Sequence, residues 1–365
     1  MKRQNLIHIL IGIVCIGLFP NAQAVVPPPD GGYPNFTTAE GTKALQSLTT
    51  GAANTAVGWF SLKTVTTGSF NTGVGAGTLV LNTGDENTAI GTAALLLNTA
   101  SGNTAVGSRA LLNHTTGGTL GNIQGIDVGP NVAVGQQALE SNTASSANTA
   151  VGYQALQSFI TGPAGTEQLG LCTAVGFQVL ANATGGFDNN AFGYQALLNN
   201  TDGAGNTAIG SQTLFNNSIG NNNTATGLAA LQSNTTGGNN TAMGIHALSI
   251  LQNGDNNVAL GANAGSQLPM GNGNVFIGAD VAPILPNGDT DHTYIRNINT
   301  TSVSGGGTDT VTVNLATGLL GHLSSSRRYK EDIEPMDRAS EALYLLKPVS
   351  YRYKKEIQLS RPPLA

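Results

Sequence analysis

Few side chains in this sequence could do chemistry, and most of them stand alone. A serine hydroxyl becomes a useful nucleophile only when a base takes its proton, and a lysine can serve once burial lowers its pKa. Three serines, Ser324, Ser325 and Ser326, stand just ahead of Arg327, Arg328 and Lys330. Taken by themselves, residues 324–328 read as a solvated linker. The histidines beyond the leader, His114, His246, His292 and His322, show no metal-ligand spacing, so neither a metal centre nor a cofactor is expected. Gly186-Phe187-Asp188 and Asn253-Gly254-Asp255 invite comparison with calcium-binding nonapeptides, but the full G-G-x-G-x-D pattern is missing and turn chemistry explains both. Asp and Glu are scattered, without the pairing that glycan hydrolysis uses. Cys172 fills a slot that is otherwise Asn and reads as a small buried apolar side chain.

The elements that would carry these residues start with a leader. Lys2 and Arg3 precede an apolar run from Leu6 to Phe19, closed by Pro20 and by Ala22-Gln23-Ala24. That is the pattern of a signal peptide over residues 1–24, and the run is shorter than the ~20 residues a spanning helix needs. Export is expected, with no transmembrane helix in the mature chain. Removal of Cys15 with the leader leaves Cys172 as the one remaining thiol, which excludes a disulfide within the chain. A composition of 49 Gly with only 10% charged and 5% aromatic residues is unlike ordinary globular domains. A net charge of -5 without clustered Lys or Arg argues against nucleic acid as a partner.

After a Pro/Gly-rich linker over residues 25–36, a repeat fills residues 37–290. The unit reads N-T-A-V-G-x-x-A-L followed by a polar turn. Its leading position falls at Thr37, Asn54, Asn71, Asn87, Asn103, Asn131, Asn148, Cys172, Asn189, Asn206, Asn223, Asn240, Asn257 and Asn274. Two stretched intervals, near 115–129 and 158–170, read as loop insertions. Position five is Gly in every copy, as in Gly58, Gly152 and Gly278, which predicts a corner needing φ > 0 or a close backbone approach. Position nine is usually Leu and position four Val or Ile, and these are expected to form the apolar ladders. Asn at position one predicts an amide ladder from rung to rung. Two short extended segments per rung, stacked at ~4.8 Å, give a rod of about 65 Å. So short a rung encloses almost no interior of its own, which predicts a homo-oligomer.

Residues 37 to about 282 resemble the head repeats of trimeric autotransporter adhesins, on the strength of the recurring Asn-Thr-Ala-Val-Gly unit. The resemblance implies a left-handed parallel β-roll stacked around a three-fold axis, hence a homotrimer. The sequence departs from that family in showing no coiled-coil stalk and no anchor strands after the repeats.

Residues 291–323 read as a connector of short strands, Thr293 to Ile298 and Val311 to Val313 among them. The stretch from Gly321 to Ile333 resembles the entry to the intramolecular chaperone domain of phage tail spikes and endosialidases, the peptidase S74 family. The family places a nucleophilic Ser five residues before a Lys. The resemblance therefore implies Ser325 as nucleophile and Lys330 as general base, with self-cleavage between Ser324 and Ser325 after the trimer has folded. Ser326 stands where the family usually has Asp. A helical pattern opens at Pro335, with Ala339, Ala342, Leu343 and Leu346 on one face, and closes at Pro348. An alternating strand follows over 349–354. The pattern fades after Ile357, so residues 324–365 read as the truncated start of such a domain.

The expected fold is thus an all-β parallel solenoid with a short α+β C-terminal segment. The expected function is a secreted or surface fibre, adhesin-like, its enzymatic activity at most a single self-cleavage. A cell-surface or glycan target is one alternative, as in a phage-like tail spike. Another is an ice-binding surface built from the Thr rank Thr55, Thr72, Thr88 and Thr104.

Overall fold

The computed structural model describes residues 34–115, 121–123, 126–128, 130–160, 170–284, 288–297, 311–313 and 320–322. The expected leader and nearly all of the linker after it lie outside those residues. The chain divides into one unit ending at Ile298 and a second running from Asn299 to Ala365.

In the first unit, fifteen three-residue strands form a single parallel sheet, in chain order from Thr38–Glu40 to Thr293–Ile295. The register is strict: Thr55, Thr72, Thr88 and Thr104 are successive neighbours, as are Ala56, Gly73, Ala89 and Ala105. This is the all-β parallel β-solenoid the repeat predicts. Both insertions leave the phase of the stack intact. Thr104–Val106 pairs directly with Val132–Val134, and Thr149–Val151 with Thr173–Val175. Inside the first insertion, Gly121–Ile123 and Ile126–Val128 form an antiparallel hairpin of their own.

Each rung holds one strand rather than the two that the pattern suggests. The strand ends at the corner glycine, whose φ is 128° at Gly58 and 140° at Gly244. A Cβ there would also lie 2.5 Å from the Gly75 carbonyl oxygen and 2.3 Å from that of Gly261, so both conformation and space exclude a side chain. Beyond the corner, positions seven and nine are left-handed, as at Gln195 (φ 54°) and Leu197 (φ 52°). Two such residues break an extended run. The main chain nevertheless keeps pairing with the next rung through these turns: Leu62 N donates to Thr78 O at 2.9 Å and Leu214 N to Ala230 O at 3.0 Å. Hydrogen bonding along the stack offsets the cost of the left-handed residues, about 1–2 kcal/mol each.

The interior also differs from expectation. Alternation along the strand turns position three inward and positions two and four outward. Ala191, Ala196 and Leu197 are fully buried in one rung, as are Ala242, Ala247 and Leu248 three rungs on. Each rung therefore closes a small core of its own, where almost no interior was expected, and of the two apolar ladders only the Leu of position nine lies in it; the Val/Ile column of position four lies outside.

Two columns of amides run through this core. Asn223 Oδ1 accepts from both Asn240 N at 3.0 Å and Asn240 Nδ2 at 3.1 Å, while Asn223 Nδ2 donates to Gly237 O at 2.8 Å. The same relay links Asn189 to Asn206 and Asn257 to Asn274. The second column was not visible in the repeat. Asn217 Nδ2 donates to Asn200 Oδ1, and Asn234 Nδ2 to Asn217 Oδ1, each at 2.7 Å. It stops where Leu251 takes the next place in the column, leaving Asn234 Oδ1 buried without a donor.

Near its C-terminal end the first unit exchanges volumes between rungs. Gly265 occupies the usual Leu slot and Phe276 the usual Ala slot of the following strand. A Cβ on Gly265 would lie 2.8 Å from the Phe276 ring, so the glycine makes the space the ring fills. Phe276 stacks on Tyr294 at 5.1 Å, and the Tyr294 hydroxyl donates to buried Asp289 Oδ2 at 2.6 Å. In the second unit, Val311–Val313 and Leu320–His322 pair as an antiparallel hairpin. The helix expected after Pro335 and the strand over 349–354 lie outside the described residues.

Candidate interaction face

The outward positions of the parallel sheet form an unbroken uncharged surface. From Thr55 to Ile295, positions two and four of the repeat, the first and third residues of each strand, include no charged side chain. Position two is mainly Thr, interrupted by Val132, Asn190, Val258 and Val275. Position four is a rank of Val57, Val74, Ile90, Val106, Val134 and their successors up to Ile277 and Ile295. Large members of this rank are 36% exposed at Val74 and 49% at Leu260. Just past the glycine corner, position six adds Trp59, Tyr153, Phe177, Tyr194, Leu228 and Ile245, all exposed. Aliphatic and aromatic side chains placed so regularly, one or two per rung, amount to an apolar strip far longer than scattered surface hydrophobes produce.

The rings on this strip stack between rungs. Tyr153 and Phe177 lie 5.3 Å apart with planes 17° from parallel, and Phe177 and Tyr194 lie 5.4 Å apart at 9°. Beside them, Gln154, Gln178 and Gln195 form an amide ladder that starts at Gln137, with donor–acceptor distances of 3.2, 2.8 and 2.9 Å.

Charged groups are kept to other places. Arg109 pairs with Glu140, whose other oxygen accepts from Gln137 at 2.9 Å and Gln157 at 3.0 Å. Lys43 and Lys63 sit over the Phe60 ring, at 5.3 and 4.4 Å from its centroid. Among the described residues no group of three or more His, Cys, Asp and Glu could hold a metal ion. No described helix is long and apolar enough to cross a membrane.

Cys172 takes its place in the first amide column. Its N–H is held by Asn148 Oδ1 at 3.2 Å and its thiol points to Gly170 O at 3.2 Å. Its sulfur receives the hydrogen bonds of Asn189 that an amide oxygen receives elsewhere. Burial pushes the thiol up to about 11, so it stays protonated at neutral pH. Partial burial and the hydrogen bond to Asp289 likewise hold the Tyr294 phenol above its ordinary value.

Ser324, Ser325 and Lys330, the residues carried over from the S74 resemblance, lie outside the described residues. Residues 325–362 match the family model of peptidase S74, the chaperone of endosialidase. No curated protein and no solved structure matches the chain. A β-solenoid thus precedes an S74-type segment on one chain.

Proposed function

We propose that this protein is a secreted or surface-exposed fibre subunit of adhesin-like type. In this proposal three copies pack side by side along the uncharged face, and the C-terminal S74-type segment assists assembly before it is removed by self-cleavage. The observation that carries the proposal is the apolar strip. A column with one apolar side chain in nearly every rung is matched in period by another copy of the same solenoid lying parallel to it. Without charges, such a face meets its own copy with no like-charge repulsion. Chaperone domains of the S74 family act in trimer assembly, which favours three copies over two.

The cleavage proposed here is an acyl transfer within one chain. Ser325 Oγ attacks the carbonyl carbon of Ser324 while Lys330 takes the hydroxyl proton and returns it to the departing Ser325 nitrogen. Water then hydrolyses the resulting ester, leaving a carboxylate on Ser324 and a free hydroxyl on Ser325. The Thr rank gives an ice-binding surface less support than the face as a whole gives self-association, because Phe192, Met243 and Leu260 protrude and break the flatness such a surface needs.

Intact mass and light scattering on the secreted protein, wild type beside Ser325→Ala, test both parts. A trimer ending at Ser324 in wild type and full-length in the variant is expected. A full-length trimer in both would remove the cleavage and keep the fibre, whereas a wild-type monomer would overturn the assembly.

A further inference from the structure

A seam built from near-identical rungs has a difficulty of its own, because two copies displaced by one rung bury almost the same ladders. Most of the outward side chains cannot tell these alignments apart. Position four is Val or Ile in most rungs, and position six is small or polar at Ala76, Thr92, Ser108, Ser211, Ala262 and Ala279. Only where large side chains are concentrated does displacement change what meets what.

We infer that the aromatic block of Tyr153, Phe177, Phe192 and Tyr194 sets the axial register between copies of this chain. The inference holds only if copies pack along this face as proposed above. The block occupies three successive rungs. Position six carries three stacked rings there, at 5.3 and 5.4 Å, and Phe192 supplies the one aromatic residue in the position-four rank. All four are exposed. On the N-terminal side the next position-six residues are Gln136 and Ser108, and on the C-terminal side Ser211 follows at once. Aligned copies therefore bring ring against ring, and a displacement of one rung sets Tyr194 opposite Ser211 or Tyr153 opposite Gln136. Each ring-on-ring pairing broken by displacement lowers the population of that alignment by a factor of about 2–10, and a slip breaks at least one between any two neighbouring copies. The Gln ladder beside the block keeps the position-seven column level through these rungs and holds the rings in rank.

The test reads alignment directly. Chains bearing Thr226→Cys, on the outward rank and clear of the block, are co-expressed with chains bearing Met243→Cys, one rung further on, both in a Cys172→Ser background. Mild oxidation to a disulfide, whose Cα–Cα span of ~4.4–6.8 Å excludes partners also offset by a rung of ~4.8 Å, then links thiols that lie level on neighbouring copies. In otherwise wild-type chains, like pairs are expected to dominate about tenfold over mixed pairs, since a mixed pair requires a one-rung slip. With Tyr153→Ser, Phe177→Ser, Tyr194→Ser and Phe192→Val added, residues the repeat uses elsewhere, mixed pairs are expected to rise to yields comparable with like pairs. A milder variant carrying only Phe177→Ser and Phe192→Val covers the case in which the fourfold change prevents folding, with circular dichroism and protease resistance reporting an intact solenoid. Like pairs persisting alone in folded variants would overturn the register assignment and leave the trimer standing. Monomeric wild-type chains would remove the trimer, and the register assignment with it.

Discussion

The inward and outward sides of one strand teach opposite things. Position three, inside, is Ala in nearly every rung and never larger until Phe276, while position four, outside, ranges from Val57 onward over Val, Ile, Phe, Thr, Met and Leu. The two are adjacent on the same three-residue strand, yet one column is fixed by the neighbouring rungs of its own chain and the other is free of them. Constancy therefore follows backbone proximity, and variety marks the surface turned toward something outside the rung.

That contrast can be broken most severely at the corner. Gly244→Ala places a Cβ against the Gly261 carbonyl at a φ no L-residue favours, and a loss of at least about 3 kcal/mol is expected, read as a collapse of protease resistance or of the denaturation midpoint. Leu197→Ala, inside, should cost about 2–5 kcal/mol in a chemical denaturation series. Asn223→Ala removes an acceptor from two donors of Asn240 and should cost about 1–3 kcal/mol, measured in the same way.

Alkaline titration sharpens the comparison further. The Cys172 thiol is held protonated by the fold, so its contribution is fully present below its ordinary pKa of 9.0 and is lost as pH rises towards 11. Tyr294, also raised, acts in the same direction at the far end of the stack. Midpoints should stay level up to about pH 9 and fall above it, with Cys172→Ala flattening the first part of the decline. The smallest effect is expected outside: Ile209→Ser should change the stability of the solenoid itself by no more than about 0.5 kcal/mol while loosening assembly measured by light scattering. An outward substitution as costly to the rung as Leu197→Ala would abolish the distinction.

The repeat made much of this legible. Gly at position five announced the corner, Asn at position one the amide ladder, and the seventeen-residue spacing a parallel stack whose phase survives two insertions. What it hid was the direction in which each column points. Val and Leu look equally apolar in a string, and only the strand alternation ended by a left-handed turn at positions seven and nine places Leu197 inside and Ile209 outside. The second amide column was hidden because Asn200, Asn217 and Asn234 sit among Asn and Thr residues that the turn alone would explain. The S74-type segment was legible and the family model matches it over 325–362, whereas Ser325 and Lys330 rest on the resemblance alone, since five residues of sequence separation specify no angle or distance between hydroxyl and amine.

The exchange between Gly265 and Phe276 bears on how such a chain could grow or shrink. Elsewhere a rung can be copied or deleted as a whole, because each side of the new junction meets the same small residues that it met before. Between Gly265 and Phe276 the two halves of one fit lie on successive rungs, so a cut there would leave a void on one side and an oversized ring on the other. Length changes in this solenoid should accordingly accumulate well ahead of that junction, with the last rungs inherited as a single block.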